Sequence, residues 1–297
     1  MLTQTLPPVS LLFSKISAEM RFLGLSFSDA SEEETFRAWL LTEWKAAGCT
    51  HDFVVLSQPA SSTAFQMSVR GLAGYSVSFW WGDGTTDRYS ITSADGFLTS
   101  HTYGSGALRP IVIIGKLIGV FSVSNFYCGG RALTNLSSLS SITLSSGNTV
   151  TGNICDAPRT ITHMDLWGSN TIYGDIAELP PLLDYFLLLG ANTTHGNIAN
   201  LPTGVKYVIY GTVNSLTYNV TPGGRVWAEG MQGVTIYPNG TGFTSSMTDS
   251  LLIDLSNVAT WTDGAVIDLR GNCAAPTSAA DSAIDTLISA GVSVQTN

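Results

Sequence analysis

The sequence predicts a mainly β fold with three parts: a short helical N-terminal segment, a domain of antiparallel strands, and a repeat solenoid. Three observations support this prediction. A 22-residue period runs through the centre of the chain, a two-residue apolar alternation precedes it, and the turn-forming residues Gly, Ser, Thr and Asn fill much of the composition. The predicted boundaries are 1–55, 56–123 and 124–297.

The first part contains one predicted helix. Ser31 and Glu34 have the spacing of a capping box, and acidic residues after Ser31 suit the positive end of a helix dipole. The apolar residues behind them share one helical face; they are Phe36, Trp39, Leu40 and Trp44. These signals predict a helix over about 32–47, whose apolar face covers the domain that follows.

Two phrases before this helix resemble an N-terminal segment that is common in tailed-phage structural proteins. The first phrase is Ile16-Ser17-Ala18-Glu19-Met20, and the second is Leu25-Ser26-Phe27-Ser28-Asp29. The resemblance implies a docking arm that fixes the protein to other virion proteins.

In the second part, apolar residues alternate with a period of two. The alternating sets are Phe65, Met67 and Val69, followed by Val77, Phe79 and Trp81. The second set ends at Gly82-Asp83-Gly84, whose glycines supply the positive φ that a tight turn needs. The apolar stretch 111–123, interrupted by Gly115 and Gly119, is interpreted as paired strands. Antiparallel strands are therefore predicted throughout this part.

Three motifs here resemble the PKD-type immunoglobulin-like sandwich. They are Trp81-Gly82-Asp83-Gly84, His101-Thr102-Tyr103 and the apolar strand 111–114. The resemblance implies an Ig-like (PKD-like) β-sandwich in which His101 has a structural role. Asp83 is interpreted as a turn residue, because one carboxylate supplies too few oxygens for calcium, which takes about 6–8.

The 22-residue period of the third part is carried by five kinds of position. Glycine recurs at Gly152, Gly174 and Gly196, each followed by Asn or Asp and then by Ile. The other recurring positions are Pro158, Pro180 and Pro202, then Asn148, Asn170, Asn192 and Asn214, then the apolar pairs Ile142/Leu144, Met164/Leu166, Phe186/Leu188 and Val208/Tyr210. Because so short a unit cannot bury its apolar face alone, it must stack on its neighbours. A solenoid is therefore predicted.

The order Asn170, Gly174, Ile176, Pro180 resembles a leucine-rich repeat, most closely the sub-type with a Gly-x-Ile-Pro step. The units here are shorter and carry extra residues between Ile and Pro. Next to a PKD-like domain, the resemblance implies the surface-protein architecture of Bacteroidetes.

The period weakens after residue 220. The segment 221–248 has no clean register, and we expect repeats to resume at Ile253-Asp254-Leu255 and Ile267-Asp268-Leu269. A helix is predicted over 276–290, with Thr277 or Ser278 as its cap and Gly291 after it, and a strand over 292–294. A helix and a strand would close the open end of the stack.

Charge and hydropathy exclude two classes of partner. The net charge of -9, with 13 Lys plus Arg, would repel phosphate, so we expect no nucleic acid. No apolar run reaches the ~20 residues of a membrane helix, so no membrane insertion is expected. The start of the sequence carries no basic region of the kind found in export signals, so export by the usual route is not expected.

No catalytic, metal or cofactor site is predicted. The four histidines share no metal-ligand spacing, and the cysteines Cys49, Cys128, Cys155 and Cys273 form no Cys-x-x-Cys. Buried free thiols are favoured over a bridge between Cys128 and Cys155. The alternative is a glycosidase pair: Asp254 and Asp268 would face each other if they occupy equivalent strand positions in adjacent repeats.

Binding is the better-supported role, because alternate residues of the repeat strands are expected to point outward. The predicted binding face comprises His163, Asp165, Trp167, Tyr185, Leu187, Tyr207 and Ile209, with Leu189 beside them. Its aromatic column suits a host surface protein or glycan. Its aliphatic residues favour a protein-covered surface, and a homo-oligomer would satisfy them.

These observations lead to one main hypothesis of function. The chain is expected to be a non-enzymatic structural or adhesion protein of a phage virion, in the tail or the head fibres. It would bind the host surface or neighbouring virion subunits. The alternatives are a bacterial cell-surface adhesin of leucine-rich-repeat type, which would be extracellular, and a polysaccharide-degrading tail spike.

Overall fold

The computed structural model describes residues 9–48, 52–58, 63–93, 96–104, 108–122, 127–129, 135–144, 149–168, 171–190, 192–211, 216–237 and 242–297. The chain divides into two compact units, Met1–Gly152 and Asn153–Asn297. The three predicted segments 1–55, 56–123 and 124–297 stay predictions. No helix within the described residues has the length and apolar character to cross a membrane.

Two helices begin the first unit: α1 (Val9–Phe22) and α2 (Ala30–Ala46). The helix predicted over 32–47 is confirmed, but its cap lies earlier, because Asp29 accepts the Glu32 backbone N–H at 2.9 Å. The sequence prediction did not include α1. Its buried residues Leu12, Ile16 and Met20 recur every four positions, which is the signal of an amphipathic helix.

The strands of the first unit form two sheets. Their bounds are β1 Phe53–Gln58, β2 Ala64–Gly71, β3 Ser76–Trp80, β4 Thr86–Ser90, β5 Gly96–Thr102, β6 Arg109–Ile114, β7 Leu117–Ser122, β8 Tyr127–Gly129, β9 Ser141–Leu144 and β10 Thr149–Asn153. One sheet has the order β10-β8-β1-β6-β3-β4 and the other the order β9-β7-β2-β5. The strands predicted over 111–123 are present, but β6 pairs with β1 and β3 while β7 pairs with β2 and β9. The expectation that they pair with each other was wrong.

Pairing in the first unit is antiparallel from β1 to β7 and becomes parallel where β9 joins β7 and β10 joins β8. Aromatic residues connect the two sheets. The Phe65 ring of β2 lies 5.7 Å from that of Trp81, which directly follows β3, and the Tyr89 and Phe97 rings lie 4.5 Å apart. Helix α2 packs through Phe36, whose ring meets that of Trp80 edge-on at 5.3 Å. The mainly β character is therefore established, together with its short helical N-terminal segment.

The second unit continues with parallel strands. Their bounds are β11 His163–Leu166, β12 Thr171–Asp175, β13 Tyr185–Leu189, β14 Thr193–Asn197, β15 Tyr207–Gly211, β16 Leu216–Thr217, β17 Met231–Ile236, β18 Trp261–Asp268 and β19 Ser293–Gln295. One sheet has the order β19-β18-β17-β15-β13-β11 and the other the order β16-β14-β12. Each coil passes from the first sheet to the second and returns through a 3-10 turn; these turns span Ile154–Asp156, Ile176–Glu178 and Ile198–Asn200. Stacked coils of this kind form a β-solenoid, as predicted.

The repeated residues occupy equivalent places in successive coils. The Asx side chain after each glycine caps the following 3-10 turn: Asn153 accepts from Cys155 N–H, Asp175 from Ala177 N–H, and Asn197 from Ala199 N–H. Each repeated proline carbonyl closes a turn, with Pro158 accepting from Ile161, Pro180 from Leu183 and Pro202 from Val205. Asn192 is buried and accepts the Ile172 N–H at 2.8 Å. Asn148, Asn170 and Asn214 lie outside the described residues.

Later coils carry α-helices on the return path. These helices are α3 (Ser245–Ser256) and α4 (Asp281–Ser289). The strand predicted at 253–255 was therefore wrong, because Ile253, Asp254 and Leu255 belong to α3. The segment 221–248, which had no clean register, contains β17. The predicted closing elements are confirmed by α4 and β19, with Thr277 capping the preceding 3-10 turn and Gly291 at φ +82°.

Candidate binding face

The predicted binding face lies on the first sheet of the second unit. In β11, β13 and β15 the burial alternates, with Met164, Phe186 and Val208 turned into the coil core. The residues between them are half-buried, and we call them the outward face; they are His163, Asp165, Tyr185, Leu187, Leu189, Tyr207 and Ile209. The alternation of burial places these residues on one side of the sheet and brings them together, and their role in binding stays a prediction.

An aromatic column runs across the outward face. His163 pairs in register with Tyr185, and Tyr185 with Tyr207. The ring centroids are 4.1 Å and 4.5 Å apart, and the ring planes are inclined by 17° and 18°. The rings of His163 and Tyr207 cover the two faces of the Tyr185 ring. Tyr185 therefore presents mainly its edge and its hydroxyl group to a partner.

Burial and neighbouring groups perturb two titratable residues of the outward face. Burial raises the pKa of Tyr185 to about 12, with further contributions from Tyr207 and Asp165. Burial also raises the pKa of Asp165, although His163 opposes this shift. Among the described residues, Asp165 Oδ1 has no hydrogen-bond partner and no solvent access. Burial of an unpaired carboxylate oxygen costs free energy, so the position of Asp165 on the face lowers the stability of the fold.

Apolar side chains occupy the centre and one edge of the outward face. Leu187 pairs with Ile209, and Leu189 with Gly211. Leu189 leans over this glycine, since a Cβ on Gly211 would lie 2.7 Å from Leu189 Cδ2. Trp167, just beyond β11, is 46% exposed. A half-buried aliphatic patch with an exposed indole at its edge is typical of interaction surfaces.

A polar area continues the outward face across β17 and β18, and the sequence prediction missed it. Thr235 pairs with Ile209 and with Asp268. Asp268 accepts hydrogen bonds from Tyr237 Oη at 2.6 Å and from Arg270 Nη2 at 2.7 Å. Chiefly through the hydrogen bonds from Arg270, the pKa of Asp268 falls to about 2. The available signal was the apolar pair Val234 and Ile236, which places Thr235 and Tyr237 on the outward side.

Asp254, the other acidic residue considered for catalysis, lies in α3 rather than in a repeat strand. Its side chain is buried and accepts hydrogen bonds from the Tyr218 hydroxyl at 2.6 Å and from the backbone N–H groups of Gly223 and Arg225. Burial and this carboxylate raise the pKa of Tyr218. The prediction that Asp254 and Asp268 occupy equivalent strand positions was therefore wrong, and Asp254 holds the loop after β16.

Two of the three motifs that resemble the PKD-type sandwich contact each other in the first unit. His101 Nε2 lies 2.8 Å from Asp83 Oδ2, and the His101 ring stacks on Trp81 at 4.9 Å. The Tyr103 hydroxyl donates to the Trp81 carbonyl oxygen at 3.0 Å. Asp83 also accepts from the Thr85 hydroxyl at 2.6 Å, and its pKa is lowered by Thr85 and His101 against the opposing effect of burial. These contacts close the turn at Gly82 and Gly84.

The structure tests part of the cysteine prediction. Cys155 is a free thiol, as expected, but it is exposed and not buried, and Cys273 is a buried free thiol. Burial raises the pKa of Cys273. Cys49 and the side chain of Cys128 lie outside the described residues. Within the part of the chain that the structure describes, no group of three or more His, Cys, Asp or Glu side chains could hold a metal ion.

Comparison with known proteins gives no match: no family model, no curated protein and no solved structure matches this chain.

Proposed function

We propose that this chain is a non-enzymatic adhesion or structural protein of a tailed-phage virion. In this proposal the outward face of the solenoid binds the host surface or a neighbouring virion subunit, and the N-terminal segment attaches the chain to other virion proteins. The observation that carries the proposal is the ordered aromatic column His163, Tyr185, Tyr207 beside the apolar patch of Leu187 and Ile209.

Physical reasons favour this face as the recognition surface. Strands β13 and β15 of the face each have parallel partners on both sides, and the stacked rings of His163, Tyr185 and Tyr207 hold one another in place, so the surface is ordered before binding. A preordered aromatic surface loses little conformational entropy on binding, and large rings contribute most of the energy of typical interfaces. The assignment to a virion draws on the phage-like phrases in 16–29.

Electron cryo-microscopy of intact phage particles tests the proposal. We expect density for this chain attached to the tail or to the head fibres, with the outward face turned to solvent or to another subunit. The purified protein should also bind particles that lack it, or intact host cells. Protein that is absent from particles and binds neither particles nor cells would refute the proposal.

A further inference from the structure

Asp165 is the one acidic residue of the outward face, and the fold supplies no partner for it. Within the part of the chain that the structure describes, no hydrogen bond or ion pair includes the Asp165 carboxylate. The arginines of the second unit bond elsewhere: Arg159 and Arg225 donate to backbone carbonyl oxygens, and Arg270 donates to Asp268. The negative charge of Asp165 is therefore left uncompensated on an otherwise uncharged, half-buried surface.

The equivalent position in each of the next two coils is aliphatic. Asp165 pairs in register with Leu187, and Leu187 pairs with Ile209. All three side chains are half-buried. A leucine at position 165 would keep this pattern and would avoid the cost of burying an unpaired carboxylate oxygen. A residue that lowers stability and makes no bond within the fold is typical of a binding site.

The groups around Asp165 indicate which kind of cation would fit. Trp167 lies two residues further along the chain, about 7 Å away, and its side chain is 46% exposed. Leu187 borders the carboxylate on the neighbouring strand. A donor that reaches Asp165 must therefore lie against an indole ring and an aliphatic side chain. An arginine side chain suits both, because its stem is apolar and its planar guanidinium group stacks on aromatic rings and pairs with carboxylates.

We infer that Asp165 and Trp167 form a subsite for an arginine side chain of a partner protein, an inference that rests on the proposed function. The guanidinium group lies on the exposed indole of Trp167 and donates to the Asp165 carboxylate. The stem of the arginine lies against Leu187. Arginine is enriched at protein interfaces, and close charge pairs across an interface couple strongly.

Three other occupants fit this position less well. Calcium takes about 6–8 oxygen ligands, and one carboxylate supplies at most two of them. A neutral sugar would cover the carboxylate without neutralising its charge. A second copy of the chain, docked through the same face, would bring two Asp165 side chains to one interface, and the outward face carries no lysine or arginine to pair with them.

The test compares binding and stability in the same variants of the full-length protein. The binding target is intact host cells or phage particles that lack this chain, whichever binds wild type. Asp165→Asn keeps the shape of the side chain and removes its charge, so it should weaken binding at least tenfold. Asp165→Leu should also lose binding, but it should unfold at a higher urea concentration than wild type. Asp285→Asn, at an exposed position of α4, is the matched loss of charge and should change neither property.

Chemical treatment of the target identifies the cation. Phenylglyoxal modifies arginine side chains, so cells or particles treated with it should bind wild type at least tenfold more weakly. Acetylation of lysine side chains and periodate oxidation of glycans should leave binding intact. Trp167→Leu keeps apolar bulk and removes the ring, and it should weaken binding to the untreated target severalfold.

Three outcomes overturn the inference while the proposed function stands. The first is wild type and Asp165→Asn binding the target equally well. The second is binding that periodate abolishes and phenylglyoxal leaves intact, which identifies a glycan partner. The third is a lower urea midpoint for Asp165→Leu than for wild type, which shows that the fold itself uses the carboxylate. If wild type binds neither cells nor particles, the inference and the proposed function are both refuted.

Discussion

The Oδ1 atom of Asp175 lies where a side chain at Gly196 would begin: a Cβ on Gly196 would be 2.4 Å from it. The same relationship exists one coil earlier, where a Cβ on Gly174 would be 2.2 Å from Asn153 Oδ1. Both glycines have positive φ, +111° at Gly174 and +130° at Gly196. The repeated glycines and the repeated Asx residues therefore depend on each other. Each Asx side chain occupies the space that a side chain at the glycine of the next coil would need.

Gly196→Ala is therefore expected to destabilise the protein by about 2–4 kcal/mol. A residue with a Cβ is strained at this φ by about 1–3 kcal/mol, and displacement of Asp175 removes a cap of about 1 kcal/mol. Urea unfolding monitored by circular dichroism measures the change. Gly204→Ala is the control, since its nearest contact would be the Leu183 carbonyl oxygen at 3.7 Å. Equal stability of the two variants would contradict this account.

Much of the solenoid could be predicted because its signal is periodic. The three 22-residue coils that contain β11, β13 and β15 keep one register, so the inward pair and the outward residues followed from the sequence. The prediction failed where coils change length. A register shift between Met231 and Gly233 interrupts the alternation of β17, and only Val234 and Ile236 remain as a signal.

Helix α3 shows a second reason for failure. Ile253 and Leu255 alternate as in a strand, but the buried residues Leu251, Leu252 and Leu255 have the spacing of a helix. Thr244, which caps α3, lies nine residues before Ile253. It is therefore outside the three residues, 253–255, whose alternation suggested a repeat strand. The polar part of the site was missed for the same reason, since Thr235, Tyr237 and Arg270 depend on strands without a clean period.

Asp254→Ala should destabilise the second unit by about 3–5 kcal/mol. The substitution leaves the Tyr218 hydroxyl and the backbone N–H groups of Gly223 and Arg225 without their acceptor, and buried unsatisfied donors cost about 1–3 kcal/mol each. Tyr218→Phe removes one of these bonds and should cost about 1–2 kcal/mol. Thermal unfolding checks both, with exposed Asp285→Ala as the control. Full stability of Asp254→Ala would show that this carboxylate does not hold the loop.

In the first unit, Glu43→Ala should cost about 2–3 kcal/mol of stability. Glu43 is 6% exposed and accepts hydrogen bonds from Ser78 Oγ and, at 2.7 Å, from Arg88 Nε, so it ties α2 to strands β3 and β4. Glu34→Ala, at an exposed position of the same helix, should change the unfolding free energy by less than about 0.5 kcal/mol. A Glu43→Ala protein that unfolds like the Glu34→Ala protein would contradict the assignment.

The stabilising effect of Asp268 should depend on pH. Its folded pKa of about 2 lies below the unfolded value of about 3.9, so its contribution is complete above the unfolded value and is lost as pH falls towards 2. Wild type should be more stable than Asp268→Asn at neutral pH, and the difference should narrow between about pH 4 and pH 2. Urea unfolding across this range measures it, with Asp263→Asn as an exposed control. If the difference in unfolding free energy between wild type and Asp268→Asn stays constant with pH, the ion pair with Arg270 is not the source of that difference.

The most direct test of recognition through the outward face is a quantitative host-cell binding assay of two charge-introducing variants. Leu187→Arg places a cation at the centre of the face, whereas Tyr173→Arg places one at a 49%-exposed position of the other sheet. Both should fold, because both side chains start outside the coil core. We predict that Leu187→Arg loses at least tenfold in cell binding and that Tyr173→Arg binds like wild type. Equal binding by the two folded variants would contradict the account.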